Sequence, residues 1–229
     1  MTRVRKVLAF SDMHGERKAV DAAEKILKGG DFDAAAYLGD FSMRPGDSKA
    51  NIDDAQHMLE RLSGYSDIWS LFGNCDSASL RDLLEEKKIA FHNNVRSLGN
   101  AAFIGWGGSH PTPFNTPSEF PEELIESSLD KLMEMAGSKA SHLILLTHEP
   151  PHGTNADKLP FGNVGSKSIR RVIERHQPVL NVCGHIHEAR SVDAIGNTRV
   201  INIGQASKGH FLVIYIGKDV ETEDINIKL

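Results

Sequence analysis

Short apolar runs alternate with longer amphipathic stretches over most of the chain. The runs are four or five residues long, which is typical of strands buried on both faces, and the stretches between them have the apolar spacing of helices. This alternation predicts an α/β fold. The predicted strands are Val7–Phe10, Ala34–Leu38, Ile68–Phe72, Leu143–Thr147 and Val179–Cys183, and the predicted helices are 16–28, 52–62, 79–88 and 167–176.

Two Gly-Asn turns add hairpins to this pattern. Gly99-Asn100 and Gly196-Asn197 each separate two apolar segments, as the tight turn of an antiparallel pair does, and Phe211–Ile216 is a further apolar run. The predicted sheets are therefore mixed. The longest irregular stretch, 105–121, contains several aromatic residues and is interpreted as an ordered loop. No repeat or boundary divides the chain, which predicts one domain over residues 1–229.

Composition narrows the class of protein. The chain has 229 residues, of which 40% are hydrophobic and 25% charged, as in an ordinary globular domain. No apolar run approaches the ~20 residues that a membrane helix needs. The first run, Val7–Phe10, is too short for a signal peptide, so we predict a cytoplasmic protein.

The charge and the cysteine pattern of the sequence argue against several further kinds of protein. The net charge is -5 and the basic residues are scattered, which argues against a dedicated nucleic-acid binder. The two cysteines form no CxxC motif, so neither a disulfide framework nor a thiolate zinc site fits. The sequence leaves the oligomeric state open.

The residues that follow the apolar runs are of the types that bind metals. Asp, Asn or His comes after each of the five strands, and the carboxyl ends of strands are where α/β proteins bind ligands. Each motif alone is also typical of an ordinary turn or cap, but their repetition favours one shared site. The motifs are Ser11-Asp12-Met13-His14, Gly39-Asp40, Gly73-Asn74-Cys75-Asp76, His148 and Gly184-His185-Ile186-His187.

The donor types indicate which ions this site would hold. Imidazole and carboxylate together suit Mn, Fe, Co, Ni or Zn better than Ca or Mg. The set is also larger than one ion needs. A carboxylate can bridge two ions ~3.5–4 Å apart, as in two-metal phosphoesterases.

The order D-x-H, G-D, G-N-x-D, H-x-P and G-H-x-H resembles the calcineurin-like metallophosphoesterase superfamily, and in particular its small bacterial and archaeal phosphodiesterase-like members. The resemblance runs from Asp12 to His187 and includes the strands beyond. It implies two packed mixed sheets flanked by helices. It also implies hydrolysis of small phosphodiesters through in-line attack by a hydroxide that bridges two divalent ions, with Mn favoured and Fe, Zn, Ni or Co as alternatives.

The resemblance assigns the metal ligands residue by residue. One ion would be bound by Asp12, His14 and His187, the other by Asn74, His148 and His185, and Asp40 would bridge them. Asp40, Asn74 and His148 are thereby also implied in catalysis. Gly184 would let the backbone turn close to the ions.

Two positions depart from the family pattern. Where many members have a histidine that acts near the leaving group, this chain has Cys75. We therefore expect aryl esters to be better substrates than alkyl esters. Asp76 and His152 are the candidates to protonate the leaving group, and Cys75 is not favoured as a nucleophile because metal hydroxide already fills that role. Asp76 is also, with Glu188, a candidate to orient the imidazole ligands, although Glu188 is equally typical of a surface residue.

The candidate substrate-binding residues are Arg44 and His152. Arg44 has the register of a phosphate-binding arginine, although Met43 and Pro45 replace its usual Asp and Gly neighbours. Trp106 is interpreted as a core residue, and His110 as an ordinary loop residue.

Other functions compete with the phosphodiesterase. A phosphomonoesterase or nucleotidase would use the same ligands. A nuclease is disfavoured by the acidic balance but is not excluded. A non-catalytic scaffold with this fold would be free to lose ligands, and here the whole set is present, which favours chemistry.

Overall fold

The computed structural model describes residues 3–137 and 140–229, and these form two mixed β-sheets stacked between layers of helices. The strands are β1 Arg5–Phe10, β2 Ala34–Tyr37, β3 Asp67–Ser70, β4 Asn94–Leu98, β5 Ala101–Trp106, β6 His142–Thr147, β7 Lys158–Leu159, β8 Gly162–Asn163, β9 Leu180–Cys183, β10 Ser191–Ile195, β11 Thr198–Asn202, β12 His210–Ile216 and β13 Val220–Asn226. The helices are α1 Arg17–Lys28, α2 Ser48–Leu62, α3 Ala78–Glu86, α4 Glu122–Gly137 and α5 Lys167–His176.

The strand order explains how the chain builds two sheets. One sheet has five strands in the order β13-β12-β1-β2-β3, and the other has six in the order β10-β11-β9-β6-β5-β4. β1, β2 and β3 are parallel neighbours, and so are β5, β6 and β9. The predicted architecture of two packed mixed sheets flanked by helices is confirmed.

Alternation along each strand divides the apolar side chains among three layers. In β1, Val7 and Ala9 face the second sheet and join a core between the sheets, while Leu8 and Phe10 face α1 and α2. The second sheet likewise packs its outer face against α4 and α5. Because both faces of the central strands are covered, these strands have the uninterrupted apolar sequence that predicted them.

Capping residues set the helix boundaries. α2 begins at Ser48, four residues before the predicted start, because the Asp47 side chain accepts a hydrogen bond from the Ala50 backbone N–H. α5 has the predicted bounds, and Ser166 caps it in the same manner. α4 and the small β7–β8 hairpin are not in the sequence prediction, although the buried residues Ile125, Leu129 and Met133 of α4 have helix spacing.

Both sheets end at a common edge. The parallel strands have their carboxyl ends there, and loop hydrogen bonds join neighbouring ends. The Asp12 N–H donates to the Gly39 carbonyl at 2.9 Å, and the Gly184 N–H donates to the His148 carbonyl at 2.9 Å. The side chains that follow these strands are thereby brought together. The assignment of residues 1–229 to one domain stays a prediction.

Candidate metal centre

Left-handed backbone is concentrated at this edge. Asp12, His14, Asp40 and His185 all have positive φ, between 46° and 66°. Such a conformation strains a non-glycine residue by ~1–3 kcal/mol, and it persists where the surrounding structure requires it, often at functional sites. Asp and His are among the residues that adopt it most readily. The strained turns aim these side chains toward a common region.

Two glycines permit the close approach of the strand ends. A Cβ atom on Gly184 would lie 2.3 Å from Oδ2 of Asp12, and one on Gly73 would lie 2.0 Å from Oδ1 of Asp40. Real Cβ atoms do not approach other atoms this closely, so only glycine fits at either position without displacing a carboxylate. The sequence motifs G-H-x-H and G-N-x-D contain these glycines for a steric reason.

The first cluster consists of Asp12, His14 and His187. Their metal-binding atoms all lie within 4.8 Å of one another. Nε2 of His14 is 3.1 Å from Nε2 of His187, which in turn is 3.2 Å from Oδ1 of Asp12. The other carboxylate oxygen of Asp12 accepts a hydrogen bond from the His185 backbone N–H. One oxygen and two ring nitrogens therefore converge.

The second cluster consists of Asp40, His148 and His185, again with all metal-binding atoms within 4.8 Å. Asn74 adjoins it, since its Oδ1 is 3.0 Å from Nε2 of His148. Oδ1 of Asp40 is 3.7 Å from Nε2 of His148, while Oδ2 is 3.9 Å from Nε2 of His14 in the first cluster. The two oxygens of Asp40 thus face the two clusters.

The histidine tautomers fit a metal ion. Nδ1 of His148 lies 2.9 Å from the Leu38 carbonyl, and Nδ1 of His14 lies 3.4 Å from the Ser42 carbonyl. A carbonyl can only accept, so Nδ1 of each ring donates to it, and Nε2 is the nitrogen that faces the cluster and would bind an ion. This is the usual arrangement of imidazole ligands, whose second nitrogen donates to an outer partner. Each cluster therefore presents the Nε2 atom of a positioned ring where an ion would lie.

Burial and charge set the protonation states. Burial and the nearby His148 lower the pKa of His185 to about 3, so its ring is neutral at physiological pH. Burial raises the pKa of Asp12, but the hydrogen bond from His187 and the surrounding imidazoles outweigh it and hold that pKa well below its usual range. The same hydrogen bond raises the pKa of His187 against the effect of burial. Asp12 is therefore ionised.

Asp76 is wholly buried beneath the second cluster. One oxygen accepts from the backbone N–H groups of Asp40 and Gly73, and the other accepts from the Phe41 N–H and the Asn51 side chain. Burial and the neighbouring Asp40 raise its pKa to about 7. Both oxygens are occupied by the loops that carry Asp40 and Asn74.

The remaining predicted residues lie outside the two clusters. Burial and the Asp40 carboxylate raise the pKa of Cys75, which keeps it a thiol and gives no support to a nucleophilic role. Arg44 is exposed and its guanidinium bonds to no residue in the described ranges. His152 is bonded through its backbone, to Ser166. The substrate-binding roles of Arg44 and His152 stay predictions. Trp106 is buried, as expected of a core residue.

The sequence analysis missed the residues that orient Asn74. The Asn74 amide donates to Oγ1 of Thr116 at 3.1 Å, and that hydroxyl donates to Glu119 at 2.6 Å. Glu119 also accepts from the Thr116 N–H and from Thr112. This chain of hydrogen bonds places the NH₂ group of Asn74 outward and its Oδ1 toward His148. The irregular composition of the loop gave no signal for it.

Replacing Thr116 with valine is expected to weaken metal binding by roughly 10- to 100-fold, as loss of an outer hydrogen-bond partner commonly does. Valine keeps the shape but leaves the Asn74 amide free to rotate. Isothermal titration of the metal-free protein with Mn²⁺ measures the effect. Thr198→Val is the matched control, because Thr198 is buried and its hydroxyl has no partner in the described ranges. Equal affinities in the two variants would contradict the role of Thr116.

A second missed pair lies at the rim. The Glu149 side chain, wholly buried, accepts from the backbone N–H of His110 at 2.9 Å and lies 2.7 Å from Nδ1 of the same residue. Glu149 directly follows His148 in the sequence. His110 is therefore held by the residue that follows His148 of the second cluster, rather than loose in its loop.

Two mixed sheets with paired clusters of Asp and His at their shared edge define the class of dinuclear metallophosphoesterases. The chain belongs to the calcineurin-like phosphoesterase superfamily, whose domain model matches residues 6–215. This confirms the family resemblance seen in the motifs. Members of this superfamily are metal-dependent hydrolases of phosphoesters.

Individual relatives agree with this assignment. An uncharacterized protein of Methanocaldococcus jannaschii is 32% identical over 236 residues, which cover 99% of each chain. A dimetal phosphatase from Danio rerio has the same fold, with a TM-score of 0.75, 12% identity, and 98% and 97% of the two chains covered. A structure described as a novel archaeal phosphodiesterase superposes with a TM-score of 0.53 and 15% identity, over 97% of this chain and 99% of that one.

In the described ranges, no helix is at once long and apolar enough to cross a membrane.

Proposed function

We propose that this protein is a phosphodiesterase that uses two divalent metal ions. The observation that carries the proposal is the position of Asp40, whose two carboxylate oxygens face the first and the second cluster. A bridging carboxylate of this kind is what a two-metal hydrolase requires. The archaeal phosphodiesterase has a similar fold, so the proposed reaction is compatible with this architecture.

The proposed ligands follow the two clusters. Asp12, His14 and His187 would bind one ion, Asn74, His148 and His185 would bind the other, and Asp40 would bridge. His185 and His187 then serve different ions although they are separated by one residue. The mixture of imidazole, carboxylate and amide suits Mn, Fe, Zn, Ni or Co, and the family resemblance favours Mn²⁺ among them.

The bound ions would lower the pKa of a water molecule and polarise the phosphoryl oxygens. The chain's own contribution is to hold the ligands in place. Asp76 accepts hydrogen bonds from the Asp40 and Gly73 N–H groups, so it fixes the loop geometry around the bridge. We assign Asp76 this positioning role, since its oxygens are already occupied. The Leu38 carbonyl orients His148, and Thr116 orients Asn74.

The charges around the two clusters favour a diester over a monoester as the substrate. Within residues 3–137 and 140–229, the hydrogen bonds and ion pairs of the two clusters involve no lysine or arginine side chain. A monoester carries nearly two negative charges near neutral pH, and a diester carries one. If the positive charge of the site comes from the two ions alone, with no cationic side chain bound to their ligands, the site has less with which to balance the second charge.

The test is metal removal followed by substrate comparison. Treatment with chelator should abolish hydrolysis, and Mn²⁺ should restore it. Bis-nitrophenyl phosphate should then be cleaved with a kcat/KM at least about tenfold above that of nitrophenyl phosphate, a difference of about 1.4 kcal/mol in the barrier.

Each outcome of this comparison has a distinct meaning. A preference for the monoester would replace the phosphodiesterase with a phosphatase. Failure to cleave either ester, with two ions shown to be bound, would favour a scaffold. Metal-independent hydrolysis would contradict the two-metal mechanism.

A further inference from the structure

The pairing of His110 with Glu149 is built like a positioned catalytic histidine. Both oxygens of Glu149 bind to the same residue, one to its backbone N–H and one to its ring Nδ1. This two-point attachment fixes both the loop and the ring. The described part of the chain offers Nε2 of His110 no hydrogen-bond partner, and about a quarter of the side chain is exposed.

The sheet topology places this pair beside the metal-binding clusters. β5 and β6 are parallel neighbours, and Trp106 at the end of β5 is level with Thr147 at the end of β6. His110 follows the first and His148 follows the second, on the same edge of the sheet. The charge of His110 also reaches His185, whose pKa it helps to lower.

Glu149 is a buried carboxylate, and apolar packing alone does not stabilise such a group. A wholly buried carboxylate loses most of its hydration, and it is tolerated when it is paired. Its charged partner in the described ranges is His110. The hydrogen bond to Glu149 raises the pKa of His110, assisted by the charges of Glu122 and Glu119 and opposed by burial. The arrangement favours the protonated form of His110 at the edge of the site, although burial raises the pKa of Glu149 as well.

We propose that His110, oriented by Glu149, donates the proton to the leaving group of the phosphodiester. This rests on the proposed function and names the acid that Cys75 does not supply. As the attacking water forms its bond to phosphorus, that water loses a proton to solvent. The P–O bond to the leaving group breaks, its electron pair stays on the leaving oxygen, and the Nε2 proton of His110 moves to that oxygen. Solvent then returns a proton to His110.

The experiment compares leaving groups in the Mn²⁺-loaded full chain. The substrates are methyl phosphate diesters whose second alcohol is nitrophenol, phenol or trifluoroethanol, so that the varied group is always the better leaving group. In His110→Gln, kcat for the trifluoroethyl ester should fall by about 100-fold, the usual contribution of a general acid, while the nitrophenyl ester falls by less than about threefold. KM and bound metal should be unchanged.

His142→Gln is the matched control, because His142 is at the opposite end of β6 and bonds there to the Lys218 carbonyl. It should leave all three rates unchanged. Glu149→Gln tests the positioning role separately. It removes the charge that raises the pKa of His110, so the loss of activity toward trifluoroethyl ester with rising pH should begin at lower pH. The other titratable groups that face His110, namely Glu119, Glu122 and the neutral ring of His185, are intact in this variant.

The outcomes separate the two proposals. If His110→Gln lowers all three rates by the same factor, or lowers none, His110 is not the proton donor although the phosphodiesterase stands. If the wild-type protein with two ions bound cleaves none of the diesters, the proposed function itself fails, and the role of His110 fails with it. An unchanged pH profile in Glu149→Gln would overturn the positioning role.

Discussion

Asp40→Asn is expected to lower kcat/KM for the aryl diester by about 10³-fold or more, equivalent to about 4 kcal/mol of transition-state stabilisation. The neutral amide cannot place a negatively charged oxygen toward each cluster, as the carboxylate of Asp40 does. Asparagine suits the left-handed backbone at this position, where φ is 61°. It can also still accept the hydrogen bond from the Cys75 N–H. The fold should therefore be retained.

Metal analysis and steady-state kinetics on the same preparation measure this effect. The control is Asp53→Asn, which removes the same charge from a partly exposed helix residue paired with Lys49. It should leave kcat/KM within about twofold, because surface ion pairs contribute little. A fully active Asp40→Asn protein with two bound ions would contradict the bridging role.

Gly184→Ala is expected to disrupt the first cluster. The new Cβ would lie 2.3 Å from Oδ2 of Asp12 and 2.4 Å from Oγ of Ser11, so one strand end must move away from the other. That movement breaks the bond between the His185 N–H and Asp12. We expect the free energy of unfolding to fall by about 1–3 kcal/mol, as in an overpacked core, and one equivalent of bound metal to be lost.

Thermal unfolding of the metal-free protein and metal titration together distinguish the two effects. Gly64→Ala is the matched control, since no atom lies within 4 Å of a Cβ at that position. It should be neutral in both measurements. Wild-type metal binding in Gly184→Ala would show that the strand ends separate easily and that glycine is not required at position 184.

The fold could be predicted where the residues of a strand themselves reflect whether its faces are buried. The runs at β1, β2 and β6 are apolar at successive positions because sheets or helices cover both faces. The Gly99-Asn100 hairpin was equally visible, because a two-residue turn needs particular residues. α4 was missed although its apolar spacing is regular, since it follows a long irregular loop. The predicted start of α2 was four residues too late, because the Asp47 cap lies in a polar stretch that gives no apolar spacing.

The candidate site was predictable in its residue types but not in its supporting contacts. Asp12, Asp40 and His148 could be predicted as site residues because each follows a strand, and the carboxyl ends of parallel strands meet at one edge of the sheet. Thr116 and His110 have no such motif. They reach the site through a loop whose course depends on hydrogen bonds to Asn74 and Glu149, residues that are distant in sequence.

By itself, the sequence determined the class of fold, the family and the set of metal-binding residue types, because strand burial and strand-end chemistry are local properties. The family resemblance already implied how these residues divide between two ions and that Asp40 lies between them. Only the tertiary structure decided the distances at which their side chains converge and that the oxygens of Asp76 are occupied by buried hydrogen bonds. It also decided that Glu149 holds His110. These are contacts between residues up to 175 positions apart, as between Asp12 and His187, and no local pattern encodes the distance or direction at which two such side chains meet.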